Sequence, residues 1–342
     1  MNVLGIESSC DECSVAVVRD GRTVLSHIIR SQIEEHARYG GVVPEIASRK
    51  HTEWILPLFR EACKEAAIDP AHDLDAIAVT TEPGLSGSLL VGLGFAKGLS
   101  VATGRPLIAV DHILAHLYAP RIEGDLASPY LGLLVSGGHT IVCRVDGWNA
   151  MTVLGTTTDD ACGEAFDKIA KHFGFGYPGG LAVDRLAVRG DPYAYDFPES
   201  RLDSPQQRYD VSYSGLKTAV VAQRERFRRP DAEESAENIA ASFQRVAIDT
   251  VMRRLERAIS DTGIRRVAIA GGVAANSYLR KRAGELAVDE LHIPSMELCT
   301  DNAAMIAGIG FEYARAGDFA ELDVPVNARV HGYRRVGRGG GG

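Results

Sequence analysis

Residues 2–21, NVLGIESSCDECSVAVVRDG, are the stretch that decides the fold. Two apolar runs flank a short polar segment, and Asp20-Gly21 closes the second run, which predicts strand, turn and strand. Residues 129–147, PYLGLLVSGGHTIVCRVDG, repeat the pattern and end in Asp146-Gly147. In each half, helical stretches and further apolar strands follow this hairpin. The sequence therefore predicts the α/β class, built as two related lobes.

The whole chain has 342 residues and 45% apolar residues, enough for two domains of ordinary size. We expect lobe I over residues 1–125, with the helical region 301–330 packing back near it, and lobe II over 126–300. Residues 331–342 are predicted to be a flexible, basic, glycine-rich tail. Six cysteines, no signal peptide and no apolar membrane span indicate reduced thiols in the cytoplasm. The net charge of −8 argues against a general nucleic-acid coat.

Two long helices are predicted in the first half. One covers Pro44 to Ala67, with a kink at Pro57, and the other covers Ser88 to about Thr103. The second contains Gly92, Gly94 and Gly98, whose spacing differs from the dinucleotide-binding fingerprint and is better explained by close helix packing. The chain contains no G-x-x-x-x-G-K-[ST], which excludes a P-loop NTPase.

The pair His112 and His116 lies in the apolar segment VDHILAHLYAP. Residues i and i+4 share one face of a helix, so both imidazoles can reach a single cation, although such a pair also arises by chance. Ile113 stands where zincin proteases have a glutamate, so a protease would lack its base. Asp301, before a predicted helix, is either an N-cap or the third ligand. Two histidines and a carboxylate suit Fe(II), with Zn(II) as the alternative.

Three glycine turns are candidates for binding phosphate or nucleotide. Residues 135–140, VSGGHT, form either a simple hairpin turn or a phosphate cradle. Gly271-Gly272 follow an apolar strand, and a helix predicted to start at residue 273 contains Asn276, a cap or a ligand contact. The third turn, at Gly179 and Gly180, precedes a helix with Asp184. In DDACGEAFDKIAKHFG, i,i+4 ion pairs explain the charges, and Asp167 has no other signal there.

Together the motifs resemble the TsaD family of tRNA adenosine threonylcarbamoyltransferases, once described as O-sialoglycoprotein endopeptidases. The resemblance covers nearly the whole chain in order. Motifs such as YGGVVPEIASRKH look more like the bacterial branch of the family than the archaeal or eukaryotic one. It rests on GIESSCDE, YGGVVPEIASRKH, PGLSGSLLVGLGFAKGL, HILAH, VSGGHT, DDACGEAFDK, YPGG, SYSGLKT, GGVAANSYLR and CTDNAAMIA.

The resemblance implies the fold of actin, Hsp70 and sugar kinases, with two duplicated α/β lobes and a nucleotide cleft between them. It also implies that one divalent metal, iron or alternatively zinc, is bound by His112, His116 and Asp301, and that Ser9 and Glu12 lie in the first phosphate-facing hairpin. The implied pocket for threonylcarbamoyl-AMP consists of Val135, Ser136, Gly137, Gly138, His139, Asp167, Gly180, Asp184 and Asn276.

The implied reaction transfers a threonylcarbamoyl group from its adenylate to N6 of adenosine 37 in tRNAs that read ANN codons, and it releases AMP. The implied partners are the tRNA anticodon loop and the proteins TsaB and TsaE. No residue is assigned as general base. Cys13, Glu82 and Leu181 depart from the usual family residues. The alternatives are a metalloprotease and a sugar-kinase-like or chaperone-like ATPase.

Overall fold

The structure is a computed structural model that describes residues 1–199, 202, 204–329 and, for the backbone, 334–335. The chain divides into two compact units. One contains Met1–Asp125 together with the segment that begins at Pro294, and the other contains Leu126–Ile293. The predicted tail at 331–342 lies outside the described residues, apart from the backbone of Arg334 and Arg335. No helix among the described residues has both the length and the apolar character needed to span a bilayer.

The first unit contains a five-stranded sheet in the order β3-β2-β1-β4-β5. Strand β1 pairs antiparallel with β2 and parallel with β4. The strands are β1 (Asn2–Glu7), β2 (Glu12–Arg19), β3 (Thr23–Ser31), β4 (Ala76–Glu82) and β5 (Leu107–Asp111).

The second unit repeats this arrangement in a sheet of order β10-β9-β6-β7-β8-β11. Strand β6 pairs antiparallel with β7 and parallel with β9, as β1 does with β2 and β4. The predicted α/β class with a repeated hairpin is confirmed. The strands are β6 (Tyr130–Val135), β7 (Thr140–Gly147), β8 (Ala150–Thr156), β9 (Arg266–Ala270), β10 (Glu290–His292) and β11 (Arg334–Arg335).

Both units contain helices, and some of these helices begin or end at residues other than the predicted ones. They are α1 (Ile33–Ala37), α2 (Pro44–Glu65), α3 (Ser86–Thr103), α4 (His112–Tyr118), α5 (Pro120–Glu123), α6 (Cys162–Phe173), α7 (Gly179–Ala187), α8 (Ser214–Ala222), α9 (Arg224–Phe227), α10 (Ala236–Thr262), α11 (Ser277–Gly284), α12 (Met296–Cys299) and α13 (Ala303–Ala316). The helix predicted to start at residue 273 starts at Ser277, because Gly272–Ala275 form a separate 3-10 turn.

Helices on both faces explain why β1 reads as a continuous apolar run, since neither face meets water. Leu4 and Ile6 face a core that includes Leu58 of α2 and Leu93 of α3. Gly5 points the other way. A Cβ built on Gly5 would lie 2.2 Å from the carbonyl oxygen of Ala303, so the first turn of α13 rests directly on β1.

The glycines of α3 divide into two kinds. A Cβ built on Gly92 would lie 2.2 Å from Oγ of Ser8, so close packing explains this residue. Nothing lies within 4 Å of a Cβ built on Gly94 or Gly98. The packing explanation is therefore wrong for those two, whose positions are exposed.

Candidate functional site

Helix α4 presents His112 and His116 on one face because it starts directly after β5. Asp111, the last residue of β5, caps the helix: its Oδ1 accepts hydrogen bonds from the N–H groups of Ile113 (2.7 Å) and Leu114 (3.2 Å). Both histidines are buried. Their ring centroids are 4.5 Å apart, with the ring planes nearly perpendicular. The cap thus fixes the two imidazoles one helical turn apart.

Asp301 joins this pair from the other end of the chain. Its Oδ1 lies 3.1 Å from Nε2 of His116 and 3.4 Å from Nε2 of His112. Asn302, and not Asp301, caps α13, because its side chain accepts a hydrogen bond from the N–H of Met305 at 2.9 Å. The N-cap alternative for Asp301 is therefore wrong, and its carboxylate faces the histidines.

The donor set fits a divalent transition metal. One ligand atom from each of His112, His116 and Asp301 lies within 4.8 Å of the other two, and no other such group occurs among the described residues. Metal–ligand bonds of about 2.0–2.2 Å put neighbouring ligand atoms roughly 2.8–3.6 Å apart in octahedral or tetrahedral geometry. The distances of 3.1 and 3.4 Å from Asp301 to the two imidazoles agree with that spacing.

The charges around the three residues also favour a cation. Burial alone would raise the pKa of Asp301, but His112 and His116 hold it well below its ordinary value. Burial opposes protonation of His112. The carboxylates of Asp301 and Glu7 favour it and outweigh burial, so the pKa of His112 lies well above its ordinary value. Burial and the charge of His112 lower the pKa of His116. The carboxylates thus keep their negative charge in a buried place, where it attracts positive charge strongly.

The sequence reasoning missed Glu7, the last residue of β1. Glu7 is fully buried, and its Oε2 lies 3.0 Å from Nδ1 of His112. The same oxygen accepts a hydrogen bond of 2.6 Å from Thr80. A glutamate that ends a run of buried apolar residues is a signal that could have identified it, because a buried charge needs partners.

Ser9 and Glu12, implied by the resemblance, flank the β1–β2 turn. Ser9 Oγ lies 3.4 Å from Nδ1 of His112, so this turn borders the histidine pair. Glu12 Oε1 accepts a hydrogen bond from Ser31 at 3.0 Å. Burial, followed by the negative charges of Asp11 and Asp301, raises the pKa of Glu12 well above its ordinary value.

In the second unit, the turn at residues 136–139 lies against the start of α6. Ser136 Oγ accepts a hydrogen bond from the N–H of His139 at 3.1 Å, and its carbonyl accepts one from the N–H of Gly163 at 3.1 Å. A Cβ on Gly163 would lie 2.8 Å from Cα of Gly137. Gly137 and Gly138 stay exposed. The start of α6 thus fixes the backbone of this turn, while Gly137 and Gly138 remain accessible to a ligand.

The remaining implied ligand residues are held by short contacts between helices. Asp167 accepts a hydrogen bond of 2.7 Å from the N–H of Gly179, beside Gly180. The Asp184 carboxylate accepts from Ser277 Oγ at 2.7 Å and from its N–H at 3.1 Å. Asn276 caps α11 through the N–H of Leu279 and donates to Gln244 at 2.8 Å. Asn276 therefore caps α11, which confirms one of its two predicted roles.

These contacts connect the second-unit candidates at the carboxyl ends of β6 and β9, which are parallel neighbours. A Cβ built on Gly271, the residue after β9, would lie 2.4 Å from the carbonyl oxygen of Val135, the last residue of β6. Ligands of open α/β sheets bind at such carboxyl ends. Separate contacts thus link Asp167 to Gly179, Asp184 to Ser277 and Val135 to Gly271, while a common pocket of the nine implied residues stays a prediction.

The three departures from the usual family residues lie in different surroundings. Cys13 is fully buried in β2. Glu82 ends β4 and accepts a hydrogen bond of 3.0 Å from Asn327. Leu181 is 50% exposed in the first turn of α7.

Comparison with known proteins finds relatives that match nearly the whole chain. Residues 23–308 match the family model for TsaD, tRNA N6-adenosine threonylcarbamoyltransferase. A Treponema denticola protein of that name is 53% identical over 99% of this chain and 100% of its own length. A Borrelia duttonii protein of the same name is 50% identical over 98% of each chain.

Two solved structures share the fold at low identity. Full-length HypF, in a phosphate- and nucleotide-bound form, has a TM-score of 0.64 at 14% identity, over 93% of this chain and 47% of that one. Component A of the (R)-2-hydroxyglutaryl-CoA dehydratase of Acidaminococcus fermentans has a TM-score of 0.56 at 14% identity, over 92% and 99%. These likenesses support the fold alone. The family match and the near-complete overlap with these two relatives show that this chain belongs to the TsaD family of tRNA N6-adenosine threonylcarbamoyltransferases.

Proposed function

We propose that the chain transfers the threonylcarbamoyl group of threonylcarbamoyl-AMP to N6 of adenosine 37 in tRNAs that read ANN codons. The convergence of His112, His116 and Asp301 within a member of this family is the observation that carries the proposal. The metalloprotease alternative is disfavoured because the buried Ile113 occupies the position of the zincin glutamate. A kinase-like or chaperone-like ATPase would not need the three residues.

The reaction is an acyl transfer. The N6 amine attacks the carbonyl carbon of the threonylcarbamoyl group, the new C–N bond forms, the C–O bond to the phosphate breaks, and AMP leaves as the amine loses a proton. Adenine N6 is a poor nucleophile, so the protein must hold both reactants close and polarise the carbonyl. The product is N6-threonylcarbamoyladenosine in tRNA.

His112, His116 and Asp301 hold one divalent metal in this proposal, Fe²⁺ in the cell, with Zn²⁺ as the alternative. Two imidazoles and one carboxylate that leave coordination positions open are the typical donor set of non-haem Fe(II). When bound, the metal supplies Lewis acidity and orients the threonylcarbamoyl end. The helix cap at Asp111 and the tight start of α13 keep the three donors in place.

The residues of the second unit bind the AMP part of the donor in this proposal. The exposed Gly137-Gly138 turn offers backbone N–H groups to phosphate, and the N-terminus of α11 adds positive potential. Asp184 of α7, which accepts a hydrogen bond from Ser277 at the start of α11, offers a carboxylate to hydroxyl donors. Val135, Ser136, His139, Asp167, Gly180 and Asn276 complete this set.

Transfer RNA binding rests on the anticodon loop, where unstacked bases can be read. Because the chain carries a net charge of −8, we infer that partner proteins, TsaB and TsaE, supply part of the RNA-binding surface. We place the reaction in the cytoplasm, where the tRNA substrate is found.

The decisive experiment incubates the purified chain with threonylcarbamoyl-AMP and unmodified tRNA, with and without TsaB and TsaE. Mass spectrometry of the digested nucleosides should detect threonylcarbamoyladenosine in the wild type. His112→Ala should lose the modification while AMP binding is unchanged. Full modification by a metal-free His112→Ala protein would contradict the metal assignment, and no modification by the wild type with both partners would contradict the activity.

A further inference from the structure

We propose that Glu7 is a positioning residue that accepts a hydrogen bond from Nδ1 of His112, so that Nε2 is the nitrogen that faces and binds the metal. This inference rests on the proposed metal site and adds a residue to it. Glu7 lies on the far side of the imidazole from Asp301: its Oε2 is 3.0 Å from Nδ1, while Asp301 faces Nε2.

The surroundings of Glu7 require both of its oxygens to accept hydrogen bonds. Oε1 accepts from the backbone N–H of Ser9 at 2.5 Å, a group that can only donate. Oε2 accepts from the Thr80 hydroxyl at 2.6 Å and faces His112 Nδ1. Glu7 and Thr80 are fully buried, so no bulk water can replace these partners.

This arrangement decides which nitrogen of His112 keeps its proton when the metal is bound. An ionised carboxylate only accepts, so Nδ1 must donate to it. Nε2, which faces Asp301 and the metal position, is then the nitrogen that gives up its proton and offers its lone pair when the metal binds. Carboxylates that bond the outer nitrogen of a metal-binding histidine act in this way, and their loss typically costs 10–100-fold in metal affinity.

The second histidine lacks such a partner. Nδ1 of His116 is buried and has no hydrogen-bond partner within the described part of the chain. Among the described residues, only His112 therefore has a carboxylate at Nδ1, the nitrogen that faces away from the metal position, and Glu7 is the residue through which the fold of β1 orients the site.

Glu7→Gln tests the proposal, because an amide has one accepting and one donating end. If its NH₂ group faces Ser9, two donors meet. If it faces His112, Nδ1 must accept and the proton moves to Nε2, which blocks metal binding. We expect Zn²⁺ affinity, measured by competition with a chromophoric chelator, to fall about 10–100-fold. Glu312→Gln, at a buried carboxylate that binds Tyr118 and Arg315, should leave the affinity unchanged.

A role through His112 predicts that Glu7→Gln adds no loss of Zn²⁺ affinity in a His112→Ala background. An equal loss in both backgrounds, or wild-type affinity in Glu7→Gln alone, would overturn the proposal. A wrong assignment of the metal ligands would give a different result, because Asp301→Asn would then bind Zn²⁺ as tightly as the wild type.

A measurement on the unsubstituted protein covers the case in which Glu7→Gln does not fold. Long-range ¹H–¹⁵N spectra of histidine-labelled, Zn²⁺-free protein report protonation of each ring nitrogen, and the His112 signals are assigned by their loss in His112→Ala. We expect a protonated Nδ1. A neutral His112 with its proton on Nε2 alone would overturn the inference.

Discussion

The carboxylate of Asp301 lies 3.1 Å from Nε2 of His116, although 185 positions separate the two residues in the chain. Two local devices make this contact. Asp111 fixes the start of α4, and Asn302 takes over the capping of α13. The candidate metal centre is thus built from the ends of two helices in one structural unit.

Asp301→Asn should lower Zn²⁺ affinity on the order of 100-fold, about 2.7 kcal/mol, because the amide removes the only anionic ligand of the set. Competition titration measures the loss. Asp318→Asn, an exposed carboxylate just beyond α13, is the matched control and should bind like the wild type. Equal affinity of the two variants would contradict the ligand assignment.

Metal binding should stabilise the first unit against heat. A ligand at 100 times its dissociation constant contributes about 2.7 kcal/mol to a fold that binds it only when native. Calorimetry of the chelator-treated wild type should therefore show one transition that moves upward when Zn²⁺ is added. In His116→Ala that shift should be absent, and a shift of equal size there would count against the site.

Gly5→Ala should destabilise the protein by about 3 kcal/mol, because its Cβ meets the carbonyl oxygen of Ala303 and the rigid start of α13 cannot move freely. Metal affinity should fall as well, since Asp301 directly precedes this turn. Gly94→Ala is the opposite case. The position is exposed, helical and has room for a Cβ, so the substitution should raise the free energy of unfolding by about 1 kcal/mol. Urea unfolding measures both, and a stable Gly5→Ala protein would refute the packing argument.

Gly163→Ala should weaken AMP binding about tenfold, equivalent to 1.4 kcal/mol, because its Cβ would push against Ser136 and Gly137 and displace the turn proposed to hold phosphate. Calorimetric titration with AMP tests this expectation. Gly215→Ala, in the first turn of α8, has nothing within 4 Å of its new Cβ and serves as the control. Equal AMP affinity in both variants would contradict the proposed role of the turn at residues 136–139 in binding phosphate.

Periodicity and turn chemistry predicted much of the fold. The hairpin at residues 2–21, the strand–turn–strand at 129–147 and the i,i+4 histidine pair are local patterns, and each forms as expected. The start of α11 was missed because Gly272–Ala275 insert a 3-10 turn that Asn276 ends by capping the helix.

Glu7 was missed for a different reason. Its role depends on Thr80 and His112, which the fold brings to it from distant strands and helices, and no spacing in the sequence records that proximity. The same holds for Gly5, whose significance lies in the approach of α13 and not in its neighbours along the chain.

The return of the chain to its first unit at Pro294 sets an order of events on the ribosome. At about 5–20 residues per second, Asp301 is synthesised roughly 10–40 seconds after His116. During that interval the nascent protein contains the two imidazoles without the carboxylate of Asp301. The centre is therefore completed only after Asp301 has been synthesised, and a product truncated before residue 301 would lack it however well its other parts fold.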